Sequence, residues 1–207
     1  MTTQSQTEHS ESFKIFDIYD TQDIVVKDPS LKPYLNLGNK LLLKSYGRRK
    51  EKFAVGKIPI IERLANRLAV PGHVGKKHKV ITSWSSGKYN RNMKTVLQTL
   101  ETIQKKTNKN PIQVLVEAIE NASPRDEITV IESGGARYPQ AVDCSPLRRI
   151  NLALRWMIQG AYGKSFGKRT KMADALANEI LNAAKGTMDS FAMMKKNEAE
   201  KQADAAR

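Results

Sequence analysis

The chain has 207 residues, 40% of them hydrophobic but only 6% aromatic, and carries 35 Lys and Arg against 21 Asp and Glu for a formal charge of +14. That length allows one domain, or a domain with tails, around a core of Leu, Ile, Val, Ala and Met. No run approaches the roughly 18 apolar residues of a transmembrane helix, Thr2 to Ser12 is too polar for a signal peptide, and the single cysteine, Cys144, excludes internal disulfides.

The charge is uneven. Residues 1–30 hold six acids (Glu8, Glu11, Asp17, Asp20, Asp23, Asp28) and two bases (Lys14, Lys27), which leaves 33 bases and 15 acids in residues 31–207, a net of +18. A compact body that basic repels itself, so a polyanionic partner is expected. A membrane surface would favour one basic amphipathic helix with bulky aromatics, whereas these bases are spread over several elements. Nucleic acid is the better match, and no membrane partner is expected. His9, His73, His78 and Cys144 have no metal-site spacing, so neither a metal nor another cofactor is expected.

In chain order, residues 1–12 hold almost nothing to bury and read as disordered. Phe13 to Val26 reads as short extended pieces lying across the body, punctuated by Asp28-Pro29 and Lys32-Pro33. A basic arm follows: Lys40, Lys44, Arg48, Arg49, Lys50, Lys52 and Lys57, with Tyr46 and Phe53 between the charges. Bases interleaved with rings suit RNA, because each ring can stack on a nucleobase. A flexible cationic tail is the plainer alternative.

Pro59 opens a helix with Ile60, Ile61, Leu64 and Leu68 inward and with Arg63 and Arg67 on another face. The long loop from Pro71 to Lys88 carries Lys76, Lys77 and Lys79. Its Gly75-Lys76 lacks the glycine spacing and following Ser or Thr of a phosphate-binding P-loop. Arg91 opens the next helix, whose face is Met93, Val96, Leu97, Leu100 and Ile103.

Asn110-Pro111 starts another helix, with Ile112, Leu115, Val116 and Ile119 on one side. Two β-rich runs then flank Ser133-Gly-Gly-Ala136, where paired glycines supply the positive φ of a tight hairpin. Few residues on this ribbon are large enough to bury, and its tip carries Arg137 beside Tyr138. Such an arm either takes its order from a partner or folds over the core as an ordinary hairpin. Ser145-Pro146 opens a helix with Arg148, Arg149 and Arg155 near its start and Leu147, Ile150, Leu154 and Met157 as its buried face. A connector with Tyr162, Lys164, Lys168 and Arg169 leads to Thr170, a candidate cap for a helix striped by Met172, Leu176, Ile180 and Leu181, which Gly186 ends. The last segment, Asp189 to about Ala199, begins amphipathic with Phe191 and Met194, carries Lys195 and Lys196, and frays into a charged tail. The sum is a mainly α fold: one bundle of five to six helices, a protruding two-stranded β-ribbon at about 128–144, and an extended N-terminal arm. Residues 1–57 read as a partly disordered extension and basic arm, and 58–207 as the helical RNA-binding domain.

Three runs, Asn110-Pro-Ile-Gln-Val-Leu-Val-Glu-Ala-Ile-Glu-Asn-Ala-Ser-Pro-Arg-Asp-Glu127, Gly134-Gly-Ala-Arg-Tyr-Pro-Gln-Ala-Val-Asp143 and Ser145-Pro-Leu-Arg-Arg-Ile-Asn-Leu-Ala-Leu-Arg-Trp156, together resemble the universal small-subunit ribosomal protein family numbered seven in bacteria and five in eukaryotes. Leu176 to Gly186 and Lys195-Lys196 continue the resemblance, which covers about Ser45 to the C-terminus. Glu62-Arg-Leu-Ala-Asn-Arg67 and the acidic extension look like the archaeal and eukaryotic branch.

The resemblance implies a non-enzymatic, ribosome-bound cytoplasmic protein that binds the 3′ major domain of small-subunit ribosomal RNA and nucleates assembly of the subunit head. It implies a place near the exit site and messenger exit channel, with transfer RNA and messenger nearby and the platform protein numbered eleven as a neighbour. Carried over by position, the family's basic arm falls on Arg48, Arg49, Lys50 and Lys52, and its Gly-Lys loop on Gly87 and Lys88. The ribbon tip falls on Gly134 to Tyr138, the Arg pair on Arg148 and Arg149, and the C-terminal Lys pair on Lys195 and Lys196. Pro71 to Ser86 departs from this pattern as an insertion, and Tyr89 stands where most relatives have a second Lys. The rival readings are a chromatin-type architectural DNA binder, which shares the charge, and an RNA-modifying enzyme, for which Asp143 with Cys144 is the only pair worth naming.

Overall fold

A computed structural model of the chain describes residues 14–38, 54–71 and 88–207. The basic arm with Lys44, Tyr46, Arg48, Arg49, Lys50 and Lys52, the loop with Lys76, Lys77 and Lys79, and the polar residues 1–12 lie outside the described residues.

The described residues form six helices and one ribbon: α1 (Ile60–Arg67), α2 (Tyr89–Thr107), α3 (Pro111–Ala122), β1 (Asp126–Ser133), β2 (Ala136–Asp143), α4 (Pro146–Ser165), α5 (Met172–Ala184) and α6 (Phe191–Asp204). Two short 3₁₀ turns, Lys32–Tyr34 and Ala54–Lys57, precede them. The predicted apolar stripes are the core. Ile60, Ile61 and Leu64 of α1, Val96, Leu100 and Ile103 of α2, Ile112, Leu115 and Ile119 of α3, and Ile150, Met157 and Ile158 of α4 are all fully buried. Leu176 and Ile180 of α5 close the same cluster, and α5 packs against α2, α3 and α4 and so sits at the centre of the bundle.

Local chemistry sets several helix ends. The Asn110 side chain accepts from Ile112 N–H at 3.0 Å, capping α3 ahead of Pro111. Asn108, at φ 53°, ends α2 in the left-handed region. Gly186, at φ 70°, ends α5 in a Schellman arrangement: its N–H donates to the Ala183 carbonyl and Thr187 N–H reaches back to the Asn182 carbonyl. Thr170 is not the cap of α5. Lys171 occupies that position and makes no side-chain cap bond.

The ribbon pairs antiparallel from Asp126↔Asp143 to Ser133↔Ala136, with Gly134 (φ 59°) and Gly135 (φ 78°) as the two positive-φ turn residues. Its outer half is solvated, with Val130, Ile131 and Tyr138 exposed. Its base is not free-standing. Cys144 N–H donates to the Arg125 carbonyl at 2.7 Å, Glu200 of α6 accepts from Arg125 N–H at 3.0 Å, and Arg207 pairs with Asp126 at 2.6 Å.

The end of the chain therefore departs from the sequence-based expectation. Instead of fraying near Ala199, α6 runs to Asp204 and packs against β1, with Ala203 fully buried. Its buried positions are the small residues Ala192 and Ala203, while Met194 faces solvent, so an apolar stripe of large side chains could not reveal it. Close approach of α6 to α4 depends on Gly160: a Cβ there would lie 2.6 Å from Phe191 Cβ and 3.0 Å from Glu179 Cδ. Gly160→Ala is therefore expected to destabilise the fold by about 1–3 kcal/mol, outweighing alanine's better helix propensity. A chemical-denaturation midpoint at or above wild type would show that α6 can shift without cost.

The N-terminal stretch packs on the bundle, but it is not extended throughout: residues 16–18 form a tight turn closed by the Ile15–Tyr19 bridge, with Phe16 (φ 55°) and Asp17 (φ 58°) in the left-handed region. Ile15, Tyr19, Leu31 and Leu35 are buried in the main cluster. Because an irregular segment cannot satisfy its own backbone, side chains of α3 do so: Glu120 accepts from the N–H groups of Lys27 (2.7 Å) and Asp28 (2.9 Å), and Gln113 both accepts from and donates to Val25.

Candidate nucleic-acid interface

Among the candidate contact residues that the structure describes, the cations sort by what already holds them. Two are not on the surface. Arg63 is 4% exposed, and its guanidinium donates to the Tyr34 carbonyl at 2.9 Å and to Asn151 Oδ1 at 3.0 Å. The sequence placed it on an outer face of α1, but that short helix is buried on nearly every side, Glu62 and Ala65 included. Burial without a neutralising carboxylate pushes its pKa down to about 10, so it remains a cation at neutral pH.

Arg149, the second, is tied inward at all three nitrogens: Nε to the Pro124 carbonyl (3.1 Å), Nη1 to Ser30 Oγ (2.7 Å) and Nη2 to Asp28 Oδ2 (2.9 Å). It fastens the N-terminal segment to the start of α4. The Asp28 carboxyl is desolvated, which raises its pKa, but the Ser30 hydroxyl and amide and the Arg149 guanidinium more than offset this and hold it below the ordinary value.

A second group, of which Arg148, Lys164 and Arg137 are exposed and Lys195 and Lys196 half-buried, is engaged by neighbouring groups. Arg148 lies along Glu127 of β1 with a bidentate pair, and that hydrogen bond raises its pKa further. Lys164 reaches the fully buried Glu179 at 2.7 Å and the Asp189 carbonyl at 3.2 Å. Lys196 donates to the Asn121 carbonyl at the end of α3 (2.8 Å), where a cation suits the helix dipole. Lys195 pairs with Glu198 and lies 5.9 Å above the Phe191 ring. At the ribbon, Arg137 makes a loose 3.7 Å pair with Glu132, and Tyr138 beside it is 59% exposed.

A third group faces solvent: Lys57 beside α1, Lys88 and Arg91 at the start of α2, and Lys168 and Arg169 in the turn after α4. Gly167, at φ 68°, bends that turn outward, and Phe166 beside it is 55% exposed. Arg155, which sequence reasoning named only as part of its helix, is exposed on α4 next to this group.

The other chemistry weighed from sequence has little support. Burial first, and then the neighbouring Glu127 carboxylate, push the Cys144 thiol up to about 11, so it is protonated at neutral pH and a poor nucleophile. No helix among the described residues is long and apolar enough to cross a membrane.

The family model described as "Ribosomal protein S7p/S5e" matches residues 39–207. The chain belongs to that family. It is 49% identical over 195 residues to the small ribosomal subunit protein uS7 of Nanoarchaeum equitans, an alignment covering 94% of this chain and 98% of the relative. It is 39% identical over 196 residues to the uS7 protein of Methanosphaera stadtmanae, covering 94% and 99%. These relatives place it in the archaeal branch of S7p/S5e. Members of the family are structural constituents of the small ribosomal subunit and not enzymes, so RNA-bearing ribosomal surroundings account for the excess of cation. The match begins six residues before Ser45, taking in the whole basic arm from Lys40 onward.

Proposed function

We propose that this S7p/S5e protein is a primary binder of the 3′ major domain of small-subunit ribosomal RNA and nucleates assembly of the subunit head. In this reading it sits in the cytoplasmic ribosome near the exit site and messenger exit channel. Its ribbon reaches toward exit-site transfer RNA, and the platform protein numbered eleven is a neighbour. The observation that carries the reading is the separation of roles in the fold. Internal partners hold Arg63 and Arg149, whereas Lys88 at the start of α2, Arg155 on α4, and Lys168 and Arg169 in the turn after it have exposed side chains. The basic arm and loop, with Lys44, Tyr46, Arg48, Arg49, Lys50, Lys52, Lys76, Lys77 and Lys79, extend the same cation supply by sequence.

Lysines and arginines of this kind neutralise phosphates and fix position, while folded RNA shape and stacking on exposed rings such as Tyr138 supply selectivity. Arg137 and Tyr138 at the ribbon tip are placed for a partner beyond the bundle. A tagged copy of the chain should sediment with small subunits in a sucrose gradient of cell extract and move to lighter, protein-free fractions after ribonuclease. A chain that stays light in untreated extract would defeat the proposal.

A further inference from the structure

Between α1, the first turn of α2 and the middle of α4 lies a cleft of about 550 Å³. Among the described residues that line it are the cations Arg63, Arg67, Lys88 and Arg155, Asn66 and the half-buried ring of Tyr89, and none of those described lining residues is a carboxylate. The volume falls within the roughly 300–1,000 Å³ of small-ligand pockets, more than one phosphate group needs.

Arg63 is the unusual member. A buried guanidinium is ordinarily matched by an acid, because desolvating an unpaired charge is costly. Here its acceptors are a carbonyl and an amide oxygen, both neutral, so its charge is not cancelled. Its Nε and the Nδ2 of Asn66 are buried in the cleft wall with no hydrogen-bond acceptor among the described residues. Burial depresses its pKa only to about 10, which leaves the wall positive at neutral pH. The described lining thus supplies positive charge, spare donors and an aromatic ring, while the Tyr89 hydroxyl has its pKa raised first by burial and then by the buried Glu62 carboxylate nearby.

We infer that this cleft receives a single nucleotide of the bound ribosomal RNA, with its backbone phosphate over the Arg63, Arg67 and Arg155 side and its base toward Tyr89. This deepens the RNA-binding reading and rests on it. A phosphate in the cleft is attracted at low local dielectric, where the same ion pair is stronger than on an open surface. The walls discriminate an extruded, single-stranded nucleotide from duplex, which cannot enter.

The test uses the full-length chain and an in vitro transcript of the 3′ major domain of an archaeal small-subunit ribosomal RNA. Val70 is 40% exposed and lines the cleft, so Val70→Trp fills the space without changing charge. Binding about tenfold weaker is expected, within the range that one stacked base contributes. Lys88→Ser with Arg155→Ser should weaken binding comparably. Lys105→Ser with Lys109→Ser, an equal loss of charge at the far end of α2, should cost less than the rim pair. Wild-type affinity in Val70→Trp, or equal losses in the two double variants, would overturn the nucleotide cleft and leave ribosomal RNA binding standing. Failure of the wild-type chain to hold the transcript would overturn both.

Discussion

Glu179→Ala is expected to lower folding stability by about 3 kcal/mol, because two buried donors lose a charged acceptor and such bonds contribute about 1.5–3 kcal/mol each. Glu179 is fully buried on α5, where its Oε1 accepts from Ser190 Oγ at 2.8 Å and from Ala192 N–H at 3.1 Å. Its other oxygen takes the Lys164 ammonium at 2.7 Å. One carboxylate therefore fixes the start of α6 and joins it to α4 and α5. Lys164 is 44% exposed and can turn to solvent when the acid is removed, so the loss falls mainly on the Ser190 hydroxyl and Ala192 amide. Glu179→Gln keeps an acceptor at Oε1 and should cost less than alanine. Urea unfolding measures both, with the midpoint falling and the slope unchanged. A loss under about 1 kcal/mol for alanine would show that water replaces the carboxylate without penalty.

The adjacent pair Arg148 and Arg149 should separate cleanly under single substitution. Arg149→Ala removes three bonds from a side chain only 11% exposed and is expected to cost about 2–3 kcal/mol. It should also expose the peptide bonds around Asp28 to protease. The same tie gives a pH signature. Because the folded Asp28 has a depressed pKa, its contribution is complete above the unfolded value, about 4, and is lost as pH falls through the lower folded value. In Arg149→Ala that acid-range loss should shrink. Arg148→Ala removes a side chain 56% exposed and should leave stability within about 0.5 kcal/mol while weakening RNA binding. Matched stability losses in the two variants would contradict this division. Sequence alone cannot draw the distinction, since both arginines sit in the first turn of one helix and differ only in the face they present.

Much of the architecture follows from periodicity and punctuation. The stripe Ile112, Leu115, Val116, Ile119 becomes a buried face because its spacing repeats every turn of a helix. Gly134-Gly135 becomes the hairpin turn because few other residue pairs tolerate two successive positive φ values. What escaped reading depends on contacts distant in the chain. The final helix buries Ala192 and Ala203, rests Phe191 against Gly160 and is fixed at its start by a buried acid on α5, which together make no stripe of large apolar side chains. Arg63 has the composition of a surface cation, yet acceptors from Tyr34 and Asn151, 29 and 88 residues away, let it lie inside. The cleft it lines joins three elements and has no linear motif, so charge counting could indicate a polyanion but not a place for one of its nucleotides.

The central claim is that the surplus of cation on this fold is positioned for ribosomal RNA. Its most direct test is the salt dependence of binding between the purified chain and the 3′ major domain transcript, with duplex DNA of equal length as competitor. If about six to ten phosphates are neutralised, affinity should fall by about 10³–10⁵ between 50 and 200 mM salt on the duplex scale. The transcript should also displace duplex DNA far more readily than the reverse. Binding that is flat in salt, or that duplex DNA abolishes at equal concentration, would contradict the account.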